Sequence, residues 1–101
     1  MAKTSPETAE LTVFRLKKGH GAEDVRKAGR DIDRWLRRQP GFVSRTMVEH
    51  PDGSIIDIVV WRTEQEGRSS AARLMAETAA SAFHDMVESD TVQWHFGRVL
   101  F

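Results

Sequence analysis

Two of the four histidines are the side chains in this sequence best suited to acid–base chemistry. His84 and His95 lie within predicted secondary structure, whereas His20 and His50 lie at a loop and at a strand end. A neutral imidazole accepts a proton near pH 7, so His84 and His95 are candidate general bases. The alternative, that each is an ordinary surface or core residue, stays open at this point.

His84 also precedes Glu88 by four residues, a spacing that brings two side chains to one face of a helix. Two ligands do not make a metal centre, however, and no third histidine lies nearby in the sequence. The chain contains no cysteine, which excludes disulfides, thiolate metal sites and cysteine nucleophiles. We therefore predict no metal site.

Arg98 is a charged residue in a largely apolar stretch near the end of the chain. It alternates with Trp94, Phe96 and Leu100, so a strand would place it on their face. A charge on an apolar face is costly unless it is paired or at the rim. Arg98 therefore either faces a ligand or forms an ion pair, for which Asp57 is the candidate partner.

Trp61 ends an apolar run that begins at Ile55. An indole at this place can stack on an aromatic ligand and donate one hydrogen bond through its N–H. The alternative is that Trp61 fills the core, and the sequence does not separate the two roles.

Four strands and two helices are predicted to position these residues. The strands span residues 10–17, 42–50, 54–62 and 92–101, and the helices span residues 22–38 and 63–88, with a break near Thr78. Gln39-Pro40-Gly41 ends the first helix, and Thr63 is the predicted N-cap of the second.

Length and charge limit the class of protein. A chain of 101 residues supports one domain, which we assign to residues 9–101 after a flexible tail at residues 1–8. No signal peptide is recognisable, and no apolar run reaches the roughly 18 residues that span a bilayer. Fifteen basic and fifteen acidic residues balance, and no RNA-binding signature is present. We expect a soluble, cytoplasmic protein with neither a membrane nor a nucleic acid as partner.

The order β-α-β-β-α-β predicts an α+β fold of the ferredoxin-like type, in which both helices cover one face of a four-stranded antiparallel sheet. The third strand is apolar on both faces except at Asp57. Two helices cover only one face, so the other needs a partner. A second copy of the sheet is the simplest candidate, which predicts a homodimer through the open sheet face.

These features together resemble the antibiotic biosynthesis monooxygenase-like family of dimeric α+β barrels. The matching segments are Pro40-Gly41-Phe42, Asp57-Ile58-Val59-Val60-Trp61, the polar cap after Trp61, the Ala-rich second helix and the closing strand with His95-Phe96. The resemblance covers residues 10–101. Each motif is short, and the order of all of them carries the resemblance.

The resemblance implies a pocket between sheet and helices that binds a small aromatic molecule. It also implies a cofactor-independent monooxygenase, in which the deprotonated substrate itself reduces oxygen. In that interpretation Trp61 positions the ring, with Trp35 and Phe83 as further substrate-binding residues. Arg98 stabilises the substrate anion, and His84 or His95 takes the proton.

Two departures from the family keep other functions open. The chain has no tyrosine and no asparagine, so a phenol relay is absent and haem degradation is disfavoured. A non-catalytic ligand-binding or stress-associated barrel is therefore the alternative function. A purely structural dimer module is the third, and it requires Trp35, Trp61, Met75 and Phe83 to fill the pocket.

Overall fold

One four-stranded antiparallel sheet organises the computed structural model, which describes residues 6–101. The strands are β1 (Thr8–Leu16), β2 (Phe42–Glu49), β3 (Ile55–Trp61) and β4 (Val87–Arg98). They lie in the sheet in the order β2-β3-β1-β4. The helices are α1 (Ala22–Ala28), α2 (Arg30–Arg37) and α3 (Glu64–Glu77), and a 3₁₀ segment spans Ala82–Met86. This architecture confirms the predicted ferredoxin-like α+β fold.

The strand register defines two faces of the sheet. Phe14, Ile55, Val59 and Trp61 are buried on the face that packs against the helices, which we call the inner face. Their strand neighbours, which point the other way, form the open face. That face carries half-buried apolar side chains in its two central strands: Ala9, Leu11, Val13, Ile56, Ile58 and Val60.

The core lies between the inner face and α2. Ile32, Trp35 and Leu36 of α2 pack with Val59 and Trp61 of β3 in one buried cluster. The predicted apolar face of the first helix supplies these three residues, as its periodicity required. Partly buried Phe42, Leu74, Phe83 and Phe96 surround the cluster.

The predicted first helix is two helices that meet at Gly29. Gly29 is the C-cap of α1 and the N-cap of α2, with φ of −85° and ψ of 0°. Its N–H donates to the carbonyl of Val25 at 2.9 Å, and Asp33 N–H donates back to Gly29 at 3.0 Å. Backbone hydrogen bonds therefore continue across the junction, although α1 and α2 are separate helices.

The predicted second helix is too long, and the last strand begins earlier than predicted. Helix α3 ends at Glu77, and β4 already starts at Val87 rather than at residue 92. The pairing of β4 with β1 is interrupted by a bulge, where Thr91 Oγ1 accepts the Arg15 N–H at 2.9 Å. Thr63 is the N-cap of α3 as predicted, since its side chain accepts the Glu66 N–H.

Strand β1 begins at Thr8, two residues before its predicted start. Most of the tail predicted at residues 1–8 lies outside the described residues. None of the described helices is both long and apolar enough to span a membrane.

Candidate functional site

A cavity of about 320 Å³ lies between the inner face and helices α2 and α3. We call it the inner cavity. Its walls come from β1, α2, α3 and β4, and they are formed by Glu10, Thr12, Leu36, Ser70, Ala71, Leu74, Val92 and Trp94. Leu36, Ala71, Leu74, Val92 and the Trp94 ring are apolar, whereas Glu10, Thr12 and Ser70 are polar. This composition is typical of small-molecule pockets, in which a few polar groups orient an apolar ligand.

Ser70 contributes an unpaired hydroxyl to this cavity. The residue is 1% exposed, and its Oγ is the buried side-chain polar atom without a hydrogen-bond partner among residues 6–101. Burying such a group unpaired costs about 1–3 kcal/mol, so buried hydroxyls are normally satisfied. Ser70 thus places a polar group without a partner in the wall of the inner cavity.

Glu10 is the acidic group of the inner cavity. Its carboxylate accepts two indole hydrogen bonds, from Trp61 Nε1 at 2.8 Å and from Trp94 Nε1 at 2.7 Å. Strand pairing explains the arrangement, because β1 lies between β3 and β4 and Glu10 is opposite Val59 and Phe96. The two tryptophans therefore fix the carboxylate from both sides.

Trp94 and Val92 leave apolar surface exposed at the rim of the inner cavity. They are 45% and 42% exposed, respectively. The Trp94 ring contacts Phe96 edge-on at 5.2 Å, and the Arg68 guanidinium lies over both rings. Exposed apolar surface beside a cavity marks a place where a ligand or partner can bind.

A second and larger opening, of about 630 Å³, lies between α1, α2 and the edge of β2. Six of its lining residues are charged: Glu23, Arg26, Arg30, Asp33, Arg45 and Glu49. We call it the edge groove. Its charged walls suit an apolar aromatic ligand less well than the inner cavity does.

An ion-pair network occupies the floor of the edge groove. The Arg45 side chain is 8% exposed and binds both carboxylate oxygens of Asp57, at 3.0 and 2.8 Å, and Asp33 at 3.1 Å. Burial opposes the charge on Arg45, but Asp57 and Asp33 outweigh it and raise the pKa of Arg45. Burial likewise opposes ionisation of Asp33, but Arg37 and Arg45 hold its pKa below the ordinary 3.8. The pairs are satisfied within the fold and have a structural role.

Arg98 lies at the end of β4, on the inner face and opposite Thr8. It is exposed and forms no ion pair with any residue of the described range 6–101. The suggested pairing with Asp57 is wrong, because β1 separates β4 from β3 and Asp57 is bound by Arg45.

His84 lies in the 3₁₀ segment and is tied to the end of α3. Its Nε2 is 2.9 Å from Thr78 Oγ1 and 3.1 Å from the Thr78 carbonyl oxygen. Thr78 Oγ1 donates its own proton to Leu74, so Nε2 faces two acceptors and must carry the hydrogen. Glu88 lies in β4, so the two residues do not share a helix face as the i, i+4 spacing assumed.

His95 lies on the open face, opposite Leu11 of β1, and is exposed. Since Arg98 is on the inner face and His84 is in the 3₁₀ segment, the fold does not bring the three predicted catalytic residues together. None of them is among the residues that line the inner cavity.

The three predicted substrate-binding rings pack in or against the core. Trp61 is fully buried, and Trp35 is 8% exposed and donates its indole N–H to Glu77 at 3.0 Å. Phe83 contacts Phe14 edge-on at 5.8 Å. Met75, which the filled-pocket interpretation also required, is 59% exposed and fills nothing.

Sequence reasoning missed Glu10 and Ser70. Glu10 could have been found from strand phase, because it shares the two-residue period of Phe14 and therefore points to the core side. Ser70 carries no comparable signal, since its burial depends on how closely α3 approaches the sheet.

Several solved structures share this fold across nearly the whole chain. SnoaB, a cofactor-independent oxygenase from Streptomyces nogalater, has a TM-score of 0.74 and 22% identity over 96% of each chain. The ActVA-Orf6 monooxygenase of Streptomyces coelicolor, solved with nanaomycin D, has a TM-score of 0.69 and 20% identity, covering 95% of this chain and 89% of that one. A proposed antibiotic biosynthesis monooxygenase from Nitrosomonas europaea has a TM-score of 0.74 and 10% identity, covering 100% and 97%.

The protein therefore has an antibiotic biosynthesis monooxygenase-like fold, which confirms the resemblance seen in the sequence. At identities of 22% and below, the likeness establishes a shared fold. No protein-family model matches the sequence, and no curated protein matches it.

Proposed function

We propose that this protein binds a small aromatic molecule in the inner cavity and acts on it as a cofactor-independent monooxygenase. The fold shared with SnoaB, described as a cofactor-independent oxygenase, supports the reaction class. The cavity, of about 320 Å³, lies within the size range of small-ligand sites and has an aromatic and aliphatic wall. The partly exposed indole of Trp94 offers a surface on which the aromatic ring of the ligand can stack.

The observation that carries the proposal is the unpaired hydroxyl of Ser70. A helix serine usually points to water or bonds back to the carbonyl four residues earlier. Ser70 does neither among the described residues, and it is one of the residues that line the inner cavity. An unpaired group in a core is destabilising, and a ligand atom that pairs with the Ser70 hydroxyl would remove that cost.

The reaction fits an electron-rich ring that carries an activated CH₂ group. Loss of a proton gives a carbanion, which transfers electrons to molecular oxygen. One oxygen atom becomes the new ring carbonyl, and the other leaves as water with the two hydrogens of the CH₂ group. The roles of Arg98 as anion stabiliser and of His84 or His95 as base stay predictions, as do those of Trp61, Trp35 and Phe83 in substrate binding.

The test is thermal denaturation with anthrone and related polycyclic aromatics, for the wild type, Ser70→Ala and Ser69→Ala. A ligand at about 100 times its dissociation constant stabilises by roughly 2.7 kcal/mol, which raises the midpoint by about 10 °C or more. Without ligand, we expect Ser70→Ala to be more stable than wild type by about 1 kcal/mol and therefore to melt at a higher temperature. Its melting temperature should rise less than that of the wild type when ligand is added. Ser69 is exposed, so Ser69→Ala controls for the loss of a helix hydroxyl. Absence of any shift in the wild type would contradict the proposal.

A non-catalytic ligand-binding protein is the second candidate function. It is favoured by the separation of Arg98, His84 and His95, none of which is among the residues that line the inner cavity. Oxygen uptake separates the two candidates. A ligand that raises the melting temperature without consuming oxygen supports binding alone.

We further propose that a second copy of the chain covers the open face. The support is the row of half-buried apolar side chains on this face. The helices among residues 6–101 pack on the inner face and do not cover it. A continuous apolar face is normally covered by a partner, and a copy of the same sheet presents the same apolar row.

A further inference from the structure

The Glu10 carboxylate has an unusual set of partners. Each of its oxygens accepts one indole N–H, at 2.8 Å from Trp61 and 2.7 Å from Trp94. No cation is paired with it in the part of the chain that the structure describes. The nearby guanidinium of Arg68 lies over the Trp94 ring and is bound by Glu64 at 2.7 Å.

This arrangement leaves accepting capacity free. An ionised carboxylate offers about four lone-pair sites, and an indole N–H is only a donor. Two sites are therefore used, and the remaining sites are available on a half-buried group that lines the inner cavity. A partly desolvated carboxylate gains most from a further donor, because hydrogen bonds to charged groups are the strong ones.

The two indoles also fix where that donor must be. Trp61 is fully buried in the core, and the Trp94 ring contacts Phe96 and the Arg68 guanidinium. The carboxylate is thus oriented before any ligand arrives, which reduces the entropy that binding would lose. A fixed acceptor beside an apolar wall selects a flat apolar molecule with one O–H group.

We infer that Glu10 recognises a ligand hydroxyl, so that the inner cavity takes neutral hydroxylated aromatics rather than their ethers or carboxylates. This inference rests on the proposed aromatic-binding function of the same cavity. An ether offers no donor, and a carboxylate ligand would bring a second negative charge against Glu10. Glu10 is then a specificity-determining residue in direct contact with the ligand.

A purely structural role for Glu10 predicts something different. If the carboxylate only satisfies the two indoles, its replacement changes stability and leaves the preference between hydroxyl and ether unaltered. The quantity that separates the two roles is the ratio of dissociation constants for a phenol and its methyl ether.

The experiment measures binding of 2-naphthol and 2-methoxynaphthalene by equilibrium dialysis, to the wild type, Glu10→Gln and Glu7→Gln. We expect the wild type to prefer 2-naphthol by roughly ten- to a hundredfold, the range for a hydrogen bond to a charged group. Glu10→Gln should lose most of that preference while its affinity for 2-methoxynaphthalene stays the same. Glu7 is exposed and outside the cavity, so Glu7→Gln should behave as wild type.

Each outcome has a distinct meaning. A preference that is absent in the wild type, or that survives in Glu10→Gln, overturns the role of Glu10 and leaves the aromatic-binding function standing. Failure of the wild type to bind either probe overturns the proposed function and this inference with it. If Glu10→Gln does not fold, Glu10→Asp keeps the charge and withdraws the carboxylate from the cavity by one methylene. Its preference for 2-naphthol should then fall, and an unchanged preference contradicts the inference.

Discussion

At the residue scale, the two roles considered for Trp61 turn out to be connected. The ring is fully buried and contacts Phe42 edge-on at 6.1 Å, while its N–H reaches Glu10 at the cavity wall. Trp61 is thus a core residue by its ring and a positioning residue by its nitrogen. The sequence indicated that Trp61 is either a core residue or a ligand-stacking residue. It could not reveal the hydrogen bond to the Glu10 carboxylate, because that contact joins residues 51 positions apart.

Replacement of Trp61 by alanine should destabilise the fold severely. Truncation of a fully buried tryptophan costs about 3–5 kcal/mol, since it removes packing and leaves a cavity. Urea denaturation of Trp61→Ala measures this loss, and Trp94→Ala is the control, because Trp94 is also bonded to Glu10 but is 45% exposed. Equal losses in the two variants would show that the Trp61 ring is not a core element.

At the scale of elements, the sequence predicted the order of strands and helices but not all their boundaries. The hydrophobic periodicity of each segment can be read from the sequence alone, so the type of each element could be predicted without knowledge of the fold. The early start of β4 could not, because the sequence pattern places Glu88 at the end of the second helix and leaves the polar residues 89–91 between the two elements. Those residues belong to the strand because β1 pairs with Val87 and Glu88, and Thr91 bridges the bulge by accepting the Arg15 N–H.

The inner cavity likewise depends on how elements meet. Helix α3 approaches β3 and β4 at Gly67, where an added Cβ would lie 2.8 Å from both the Trp61 and the Phe96 rings. The close approach buries Ser70 one turn further along the helix. The sequence shows that a glycine lies in the helix, but only the packed structure shows that the Trp61 and Phe96 rings approach the helix at this glycine.

Gly67→Ala should therefore lower stability even though alanine favours helix. The propensity gain is about 1 kcal/mol, whereas overpacking a core contact typically costs about 1–3 kcal/mol. Urea denaturation should give a net loss for Gly67→Ala. Gly21→Ala is the control, because Gly21 precedes α1 and a Cβ there meets nothing within 4 Å. A stabilised Gly67→Ala would mean that α3 can move away from the sheet without cost.

At the scale of the whole molecule, the Arg45 network joins α2 to β2 and β3 and makes stability depend on pH. The pKa of Asp33 is lowered in the folded protein, so its stabilising contribution is complete above the unfolded value near 3.8. It is lost as the pH falls through the lower, folded pKa. Asp33→Asn should thus be less stable than wild type at pH 7, by about 0.5–1 kcal/mol for a pair this exposed. The gap should close in acid.

Denaturation of both proteins over a series from about pH 7 to about pH 2 measures that gap. Asp85→Asn removes an exposed carboxylate outside the network and should give no comparable gap at pH 7. A gap for Asp33→Asn that stays constant into acid would show that the asparagine disturbs packing rather than charge.

The last prediction concerns assembly of two chains through the open face. Ile58 lies at its centre, paired with Leu11 of β1 and Thr46 of β2, so a lysine there would place a charge among apolar side chains. We expect the wild type to sediment with the mass of two 11.5 kDa chains and Ile58→Lys to shift towards one. Gln65→Lys adds the same charge on an exposed position of α3 and should leave the mass unchanged. A wild type that sediments as a single chain at every concentration would contradict the dimer, and the apolar row of the open face would then require a different partner.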